Sequence, residues 1–332
     1  MDTRQLGTGG PVVGAIGLGA MGMSSGVYGP ADEAEGIATI HAALDAGVTL
    51  IDTGDFYAMG HNELLIREAL RGRRRDDVVL SVKFGALRGP TGEWGGVDTR
   101  PVAVRNFVAY SLRRLGVEHI DIYRPARLDP AVPIEDTVGA IAELVQAGYV
   151  RHVGLSEVGA ATIRRAHAVH PVADVQLEYS LISRGIEEKI LPAVRELGIG
   201  VTAYGVLSRG LLSGHWSTAR PLRGGDFRTH GPRFQPGNVE RNLALVDALR
   251  AVAVGRGATV AQVAIAWVLA RGRDILPVIG ARRPDRLAEA LDALDLALTE
   301  ADLAAIERAV PPGSAAGDRY PAPQMAHLDS EG

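Results

Sequence analysis

The chain contains no cysteine. Disulfides, thiolate metal sites and cysteine nucleophiles are excluded at once. A cysteine-free composition fits a reducing cytoplasm, and a cytoplasmic location is the expectation. An excess of one charge is also lacking. The 35 Lys plus Arg residues stand against 39 Asp plus Glu, a net of −4 with His neutral. That balance argues against a nucleic-acid surface or a polybasic membrane patch, so neither partner is expected. The opening MDTRQLGTGGPVV has no basic segment followed by an apolar run and does not read as a signal peptide. The most apolar helical stretch, Val260 to Ala270, falls far short of the ~20 residues needed to span a bilayer. It reads as a buried helix. The nine His residues show no ligand spacing, so no metal is expected.

What is present is ample material for a large core: 332 residues, 46% of them apolar. Short apolar runs alternate with longer helical patterns. After a pair of short strands at Thr3–Leu6 and Val12–Val13, the runs are Ala15–Leu18, Thr49–Asp52, Val78–Lys83, Ile120–Tyr123, His152–Leu155, Asp174–Leu177, Gly200–Ala203 and Ile275–Ile279. Without strict alternation, they suit parallel strands covered on both faces. Helical segments lie between them at Glu33–Ala46, Arg100–Leu115, Ile134–Ala147, Thr162–Val169, Glu187–Leu197, Val239–Val254, Val260–Arg271 and Arg286–Leu291. Several end at a glycine (Gly47, Gly116, Gly148, Gly198), where a left-handed residue closes a helix. A repeated βα unit reads as a barrel or a doubly wound sheet. No linker divides it, so residues 1–332 read as one domain. The long irregular stretch Ser213–Gly237 reads as a substrate or cofactor loop. The Pro- and Ala-rich tail beyond Pro311 reads as a surface covering.

Residues 17–22, GLGAMG, match G-x-G-x-x-G after an apolar run and suggest a Rossmann turn. That motif requires the glycines to open a helix whose N-terminus holds a pyrophosphate. Here MSSGVYGPADE follows, and no helix can begin before about Asp32. The segment reads instead as a glycine-rich turn after the first barrel strand.

Polar residues concentrate at strand ends. Asp52 closes the second strand, with Tyr57 just behind it, and Lys83 closes the third. In a barrel such ends converge on one face. A Lys beside a Tyr can lower the phenol pKa from its usual value of about 10, and an Asp can hold the Lys. The trio would then donate a proton to a carbonyl oxygen receiving a hydride. Taken singly, each has a plainer reading: a strand-end Lys is ordinarily solvated, and a loop Tyr is ordinarily packing.

The stretch IDTGDFYAMGHNELLIREAL (51–70) resembles the signature of the aldo-keto reductases. So do LSVKFG (80–85), RRLGVEHIDIYRPARLDP (113–130), GYVRHVGLSE (148–157), VQLEYSL (175–181), GIGVTAYGVLSRGLLSG (198–214) and PVIGARRPDRLAEAL (277–291), in that order along nearly the whole chain. The resemblance implies a (β/α)8 TIM barrel with an N-terminal β-hairpin and long loops at its C-terminal face. It implies NADPH-dependent reduction of a small aldehyde or ketone, with Tyr57 as general acid, Lys83 tuning it and Asp52 pairing with Lys83. Ser156 and Gln176 would hold the nicotinamide carboxamide, with Glu157 where Asn is common. Tyr204 would stack beneath the ring. Gly205, Leu207, Ser208, Arg209 and Gly210 would cover the pyrophosphate. Arg282 would meet the 2′-phosphate and Arg286 and Glu289 the adenosine end, with Gly280 in the same cofactor-binding segment. Asn62 and Glu63 would shape the loop and helix start. Three arginines in ARRPDR suit a phosphate dianion and favour NADPH over NADH. Met21, Trp94 and Ala126 would line the substrate pocket. The chain departs from the family where its catalytic His would stand, since that position is Ala126. The segment PARLDP is similar to a branch that includes pyridoxal reductases. The loss of the His leaves a second reading open, an NADPH-binding redox sensor with little turnover. The oligomeric state is not readable from the sequence.

Overall fold

The computed structural model describes residues 1–218, 222 and 225–331. The hairpin β1 (Thr3–Gln5) and β2 (Val12–Gly14) is antiparallel. It seats Leu6 and Val13 against Leu50, Ile122, Leu276 and Val278, closing the amino-terminal end of the barrel. The eight barrel strands follow: β3 (Gly17–Gly19), β4 (Leu50–Gly54), β5 (Val79–Phe84), β8 (Ile120–Pro125), β9 (Val150–Ser156), β10 (Val172–Glu178), β11 (Gly200–Tyr204) and β12 (Ile275–Gly280). Between β5 and β8 lies a second hairpin, β6 (Ala86–Arg88) with β7 (Trp94–Val97). The barrel strands pair in parallel in chain order, and β12 closes on β3. Every residue of β4 and β10 is buried, as continuous apolar runs under a ring of helices require. The expected eight strands are all present, with ends shifted by a few residues.

The helices are α1 (Glu33–Asp45), α2 (His61–Ala69), α3 (Pro101–Leu115), α4 (Ile134–Gln146), α5 (Ala160–Val169), α6 (Ile190–Glu196), α7 (Asn238–Gly255), α8 (Val260–Ala270), α9 (Pro284–Leu291), α10 (Glu300–Ala309) and the short α11 (Ala322–Met325). Asp32 caps α1, its carboxylate accepting from Glu35 N at 2.9 Å, so the GLGAMG segment opens no α-helix and leads only into a single 3-10 turn at Met21–Met23. Gly17 belongs to β3 instead, where a Cβ would lie 2.9 Å from Leu50 Cδ2. The glycines expected to end helices, at 47, 116, 148 and 198, all have positive φ. Helix α8 buries eight residues, including Trp267, at the heart of the helical layer. No single helix among the described residues is long and apolar enough to cross a membrane.

Four elements lie outside the sequence expectation, the short α11 in the tail among them. Helix α2 hides within a segment read for its chemistry. Helix α10 carries a readable start, since Thr299 and Asp302 cap one another across three residues. Hairpin β6–β7 occupies what reads as a loop. Of the expected long loop Ser213–Gly237, residues 219–221, 223 and 224 lie outside the described residues. The rest holds two short turns at Phe227–His230 and Pro232–Phe234.

Candidate active site

Strand ends bring Asp52, Tyr57 and Lys83 together at the carboxyl-terminal mouth of the barrel. Asp52 and Lys83 lie on the neighbouring strands β4 and β5. Lys83 Nζ donates to Asp52 Oδ1 at 2.5 Å, with both side chains almost wholly buried. Lys83 is one of only two lysines in the chain. Where nearly every other cation is an arginine, an ammonium here supplies a compact point charge. Asp52 Oδ2 accepts from Ser81 Oγ and from Gln176 Nε2, each at 2.8 Å. Burial works against ionisation of Asp52, but Lys83 and Arg124 together hold its pKa below the ordinary carboxylate value. Burial likewise lowers Lys83, and Asp52 opposes that shift. The depressed pKa of Asp52 and its contact with Lys83 fit an ion pair.

Lys83 Nζ sits 5.1 Å from the centroid of the Tyr57 ring. The expected lowering of the phenol pKa is not what the structure shows. Burial pushes Tyr57 well above 10 and Asp52 pushes the same way, while Arg127 pulls it down. Tyr57 is therefore a protonated phenol throughout the ordinary pH range.

The loop holding Tyr57 is strained. Ala58 and Met59, immediately after it, both adopt left-handed backbone with φ of 47° and 57°. Such residues cost roughly 1–2 kcal/mol each. The other non-glycine residues with positive φ among those described are Glu157, Ser208 and Arg209. All five sit at the mouth, at the ends of β4, β9 and β11, where strain tends to gather at functional loops. The turn also needs Gly60. Its φ is 89°, and a Cβ there would lie 2.8 Å from the Arg114 side chain.

Behind this loop lies a cluster that sequence reasoning missed. Glu63, fully buried on α2, pairs with Arg114 of α3. Asp55 is nearby, with Oδ2 buried and unpartnered, as is Glu63 Oε1. Burial and the Glu63 charge raise the Asp55 pKa to about 8, with Arg114 opposing. The barrel interior holds another missed group. Arg124, fully buried on β8, donates to Asp174 Oδ2 and Thr202 Oγ1, each at 3.0 Å, and to Ser81 Oγ at 2.9 Å. Both were hidden inside apolar strand and helix patterns.

On the facing side of the mouth, Ser156 and Gln176 are register partners on β9 and β10. Ser156 Oγ is buried with no hydrogen-bond partner. An orphaned hydroxyl at a strand end suits a ligand amide, so the residues present fit a nicotinamide carboxamide. Gln176 spends its amide N–H on Asp52 and so bridges the two halves of the site. Glu157 does not point to a free carboxamide position. Its carboxylate accepts from Arg319 Nη2 at 2.9 Å, from Ser330 Oγ at 2.6 Å and from Tyr204 Oη at 2.8 Å. Burial opposes its ionisation, but Arg319 outweighs burial and holds its pKa at about 2. Tyr204 Oη also meets Tyr320 Oη at 2.9 Å. The tail beyond Pro311 thus does more than cover the surface, since it inserts Arg319 and Tyr320 into the mouth. The physical reason is the buried charge of Glu157, which requires a cation.

Gly205, Leu207, Ser208, Arg209 and Gly210 form a tight turn after β11. Arg209 pairs with Glu178 at 3.0 Å and lies 4.5 Å over the Tyr320 ring. Gly280 ends β12, and Arg282 donates to the carbonyls of Tyr28 and Pro30, tying the loop after β3 to the start of α9. Arg286 and Glu289 form a pair at 3.0 Å that also engages His215. Met21 is half-buried in the turn after β3. Ala126 is buried, its N–H donating to Phe84 O at 2.8 Å. Trp94 is 47% exposed on the β6–β7 hairpin, with the Arg88 guanidinium 5.5 Å from its ring. It is a rim residue and not a closed pocket wall. No group of three or more potential metal ligands occurs among the described residues.

The profile of the Aldo/keto reductase family matches residues 15–311. The chain is 41% identical over 318 residues to "Probable aldo-keto reductase 1" of Glycine max, covering 95% of this chain and 91% of that protein. Among solved structures it is similar to a glycerol dehydrogenase from Gluconobacter oxydans, at 32% identity and a TM-score of 0.83, covering 93% and 94% of the two chains. It is also similar to an aldo-keto reductase from Bacillus halodurans solved in its holo form, at 28% identity and a TM-score of 0.76, covering 93% and 96%.

Proposed function

This chain belongs to the aldo/keto reductase family, NAD(P)-dependent oxidoreductases that act on carbonyl compounds, and from that premise we propose that it reduces an aldehyde or ketone to the alcohol with NADPH, using Tyr57 as the proton donor. The observation that carries this reading is the buried Asp52–Lys83 ion pair beneath the Tyr57 ring, facing the orphaned Ser156 hydroxyl across the mouth. A nicotinamide bound there supplies the hydride. Ser156 and Gln176 would orient its carboxamide, and Tyr204 would support its ring. The 205–210 turn would cover the pyrophosphate, and Gly280, Arg282, Arg286 and Glu289 would meet the 2′-phosphate and adenosine end.

Tyr57 stays protonated because burial and Asp52 both disfavour its phenolate. It can therefore give its proton to a carbonyl oxygen as negative charge develops there. In the reverse direction the phenolate would accept it. Lys83, held by Asp52, keeps a positive charge under the ring and offsets that phenolate as it forms. Ala126 stands where the family's His would assist, which widens the pocket and leaves the donor role to Tyr57.

The test is titration of the protein with NADPH and NADH by fluorescence, then assay with an aldehyde panel that includes pyridoxal. NADPH binds more tightly than NADH, and turnover follows as loss of nicotinamide absorbance. Tyr57→Phe lowers turnover by ~10²-fold or more, the scale of a lost general acid, while NADPH binding persists. Full activity in Tyr57→Phe overturns the assignment. Tight NADPH binding without turnover of any aldehyde favours a redox-sensing role.

A further inference from the structure

The arginines around the mouth fall into two groups. Arg209, Arg228, Arg233 and Arg319 each have a carboxylate: Glu178 serves Arg209 and Arg233, Asp226 serves Arg228, and Glu157 serves Arg319. Arg88 and Arg127 do not. Among the described residues neither forms an ion pair. Arg88 donates only to Gly92 O, at 3.4 Å, and its guanidinium lies 5.6 Å over the Phe56 ring and 5.5 Å over the Trp94 ring. Arg127 donates to its neighbour's carbonyl, Ala126 O, at 2.6 Å and reaches Tyr320 Oη at 3.5 Å. It senses the Glu157 charge, but Glu157 makes its own contacts with Arg319, Ser330 and Tyr204.

Both guanidinium groups flank the reacting position. The Phe56 ring under Arg88 packs edge-on against the Tyr57 ring at 4.8 Å. Arg127 pulls the Tyr57 pKa down, and Tyr57 in turn opposes the lowering of Arg88 by burial. Arg88 is exposed and Arg127 half-buried, and since neither is held by a carboxylate, each guanidinium keeps N–H donors free for a ligand anion.

Their place in the ring decides what kind of anion. Arg88 and Arg127 follow β5 and β8, while the proposed phosphate-binding segments follow β11 and β12. In the closed order β10-β11-β12-β3-β4-β5-β8-β9, those two pairs of strands stand opposite one another. The cofactor phosphates on the far side are therefore not the anions these two arginines await.

We propose that Arg88 and Arg127 form an anion clamp beside Tyr57, and that the substrate is an aldehyde or ketone carrying a carboxylate or phosphate group. The inference rests on the reductase reading above. Ala126 fits it, because the small side chain leaves room beside Arg127 for the anionic arm. The fork of each guanidinium matches either anion bidentately.

The test compares matched substrates on the NADPH-loaded enzyme. 4-Carboxybenzaldehyde is set against its neutral amide, 4-carbamoylbenzaldehyde, and glyceraldehyde 3-phosphate against glyceraldehyde. The expected ratio of kcat/KM in favour of the charged member is ~10-fold or more, the scale of one charge-assisted hydrogen bond. The first pair reports a carboxylate site and the second a phosphate site. In Arg127→Gln and in Arg88→Gln the ratio collapses toward one, and Arg127→Lys keeps part of it. Arg88 stands on a rim hairpin, so its variant tests the clamp without disturbing the barrel. Binding is measured alongside, by calorimetric titration of 4-(hydroxymethyl)benzoate into the NADP+ complex. Saturable binding of that probe, weakened in Arg127→Gln and by added salt, supports the clamp even if no aldehyde turns over, in which case the reductase reading alone fails. Equal kcat/KM for charged and neutral members, or a preference that survives both Gln variants, overturns the clamp while leaving the reductase intact.

Discussion

On the barrel side of β4, Asp52 and Asp174 share the interior with Lys83 and Arg124. On the helix side, Asp55 and Glu63 share Arg114 alone. Successive residues of a strand point to opposite faces, so one short segment feeds both clusters. Asp52 turns inward to Ser81 and Gln176, and Thr53 turns outward to Asn62 of α2. The inner cluster holds two carboxylates and two cations: Asp52, reached by both cations, stays ionised with its pKa depressed, whereas burial outweighs Arg124 at Asp174 and raises its pKa. The outer cluster holds two carboxylates and one cation, and Asp55 is driven to about 8. Burial is common to both. What separates Asp52 from Asp55 is the opposite charge within reach set against burial, and that balance decides whether a buried carboxyl keeps its proton. The proposed reaction draws on the inner cluster, where a fixed charge under Tyr57 is wanted. The unbalanced one braces the loop that carries Tyr57.

Removing a cation from the balanced side should produce the largest effect. Arg124→Met leaves Asp174 buried without its partner and strips Asp52 of one of its two cations. The expected loss is ~3–5 kcal/mol, the cost of breaking a buried pair on one side. It reads as a clear fall in Tm by calorimetry. Arg124→Met combined with Asp174→Leu should regain much of it, because no lone charge remains. A single variant as stable as the parent would show that the interior pair contributes nothing and that the two clusters do not differ as argued.

How much of this was legible beforehand divides along the same line. The repeated βα unit was readable because eight apolar runs alternate with helices and turn glycines mark helix ends, and the resemblance to the aldo-keto reductases decided for a closed barrel over a doubly wound sheet. Asp52, Tyr57 and Lys83 were readable as a group because the strand ends converge. Arg124 was not, since it sits in the run IDIYRP as if it were an exposed interruption, and only the closed ring of strands shows that it points inward. Glu63 reads in the sequence only as shaping the loop and helix start, and Asp55 carries no reading of its own. Their shared burial depends on α2 and α3 packing together, which no local pattern encodes. The insertion of Arg319 and Tyr320 depends on a contact across 162 residues, Arg319 to Glu157, and its one sequence signal was an acid where the family commonly has Asn. The left-handed residues Ala58, Met59, Glu157, Ser208 and Arg209 carry no glycine to announce them. They lie where tertiary structure overrides local preference, as functional loops do.

The unbalanced cluster yields the smaller and conditional effect. Asp55 has its folded pKa raised from an unfolded value near 3.8 to about 8. The folded state therefore binds its proton more tightly than the unfolded chain. That contribution to stability is complete below about pH 4, declines as pH rises toward 8, and is gone above it. Asp55→Asn mimics the neutral side chain at every pH. The variant should match the parent near pH 4 and become the more stable of the two as pH climbs, with the gap levelling off above pH 8. Thermal unfolding of both proteins at pH 5, 7 and 9 measures it. A gap that does not change with pH would mean that Asp55 is already ionised in the folded protein, that Arg114 neutralises both carboxylates, and that the outer cluster is as balanced as the inner one.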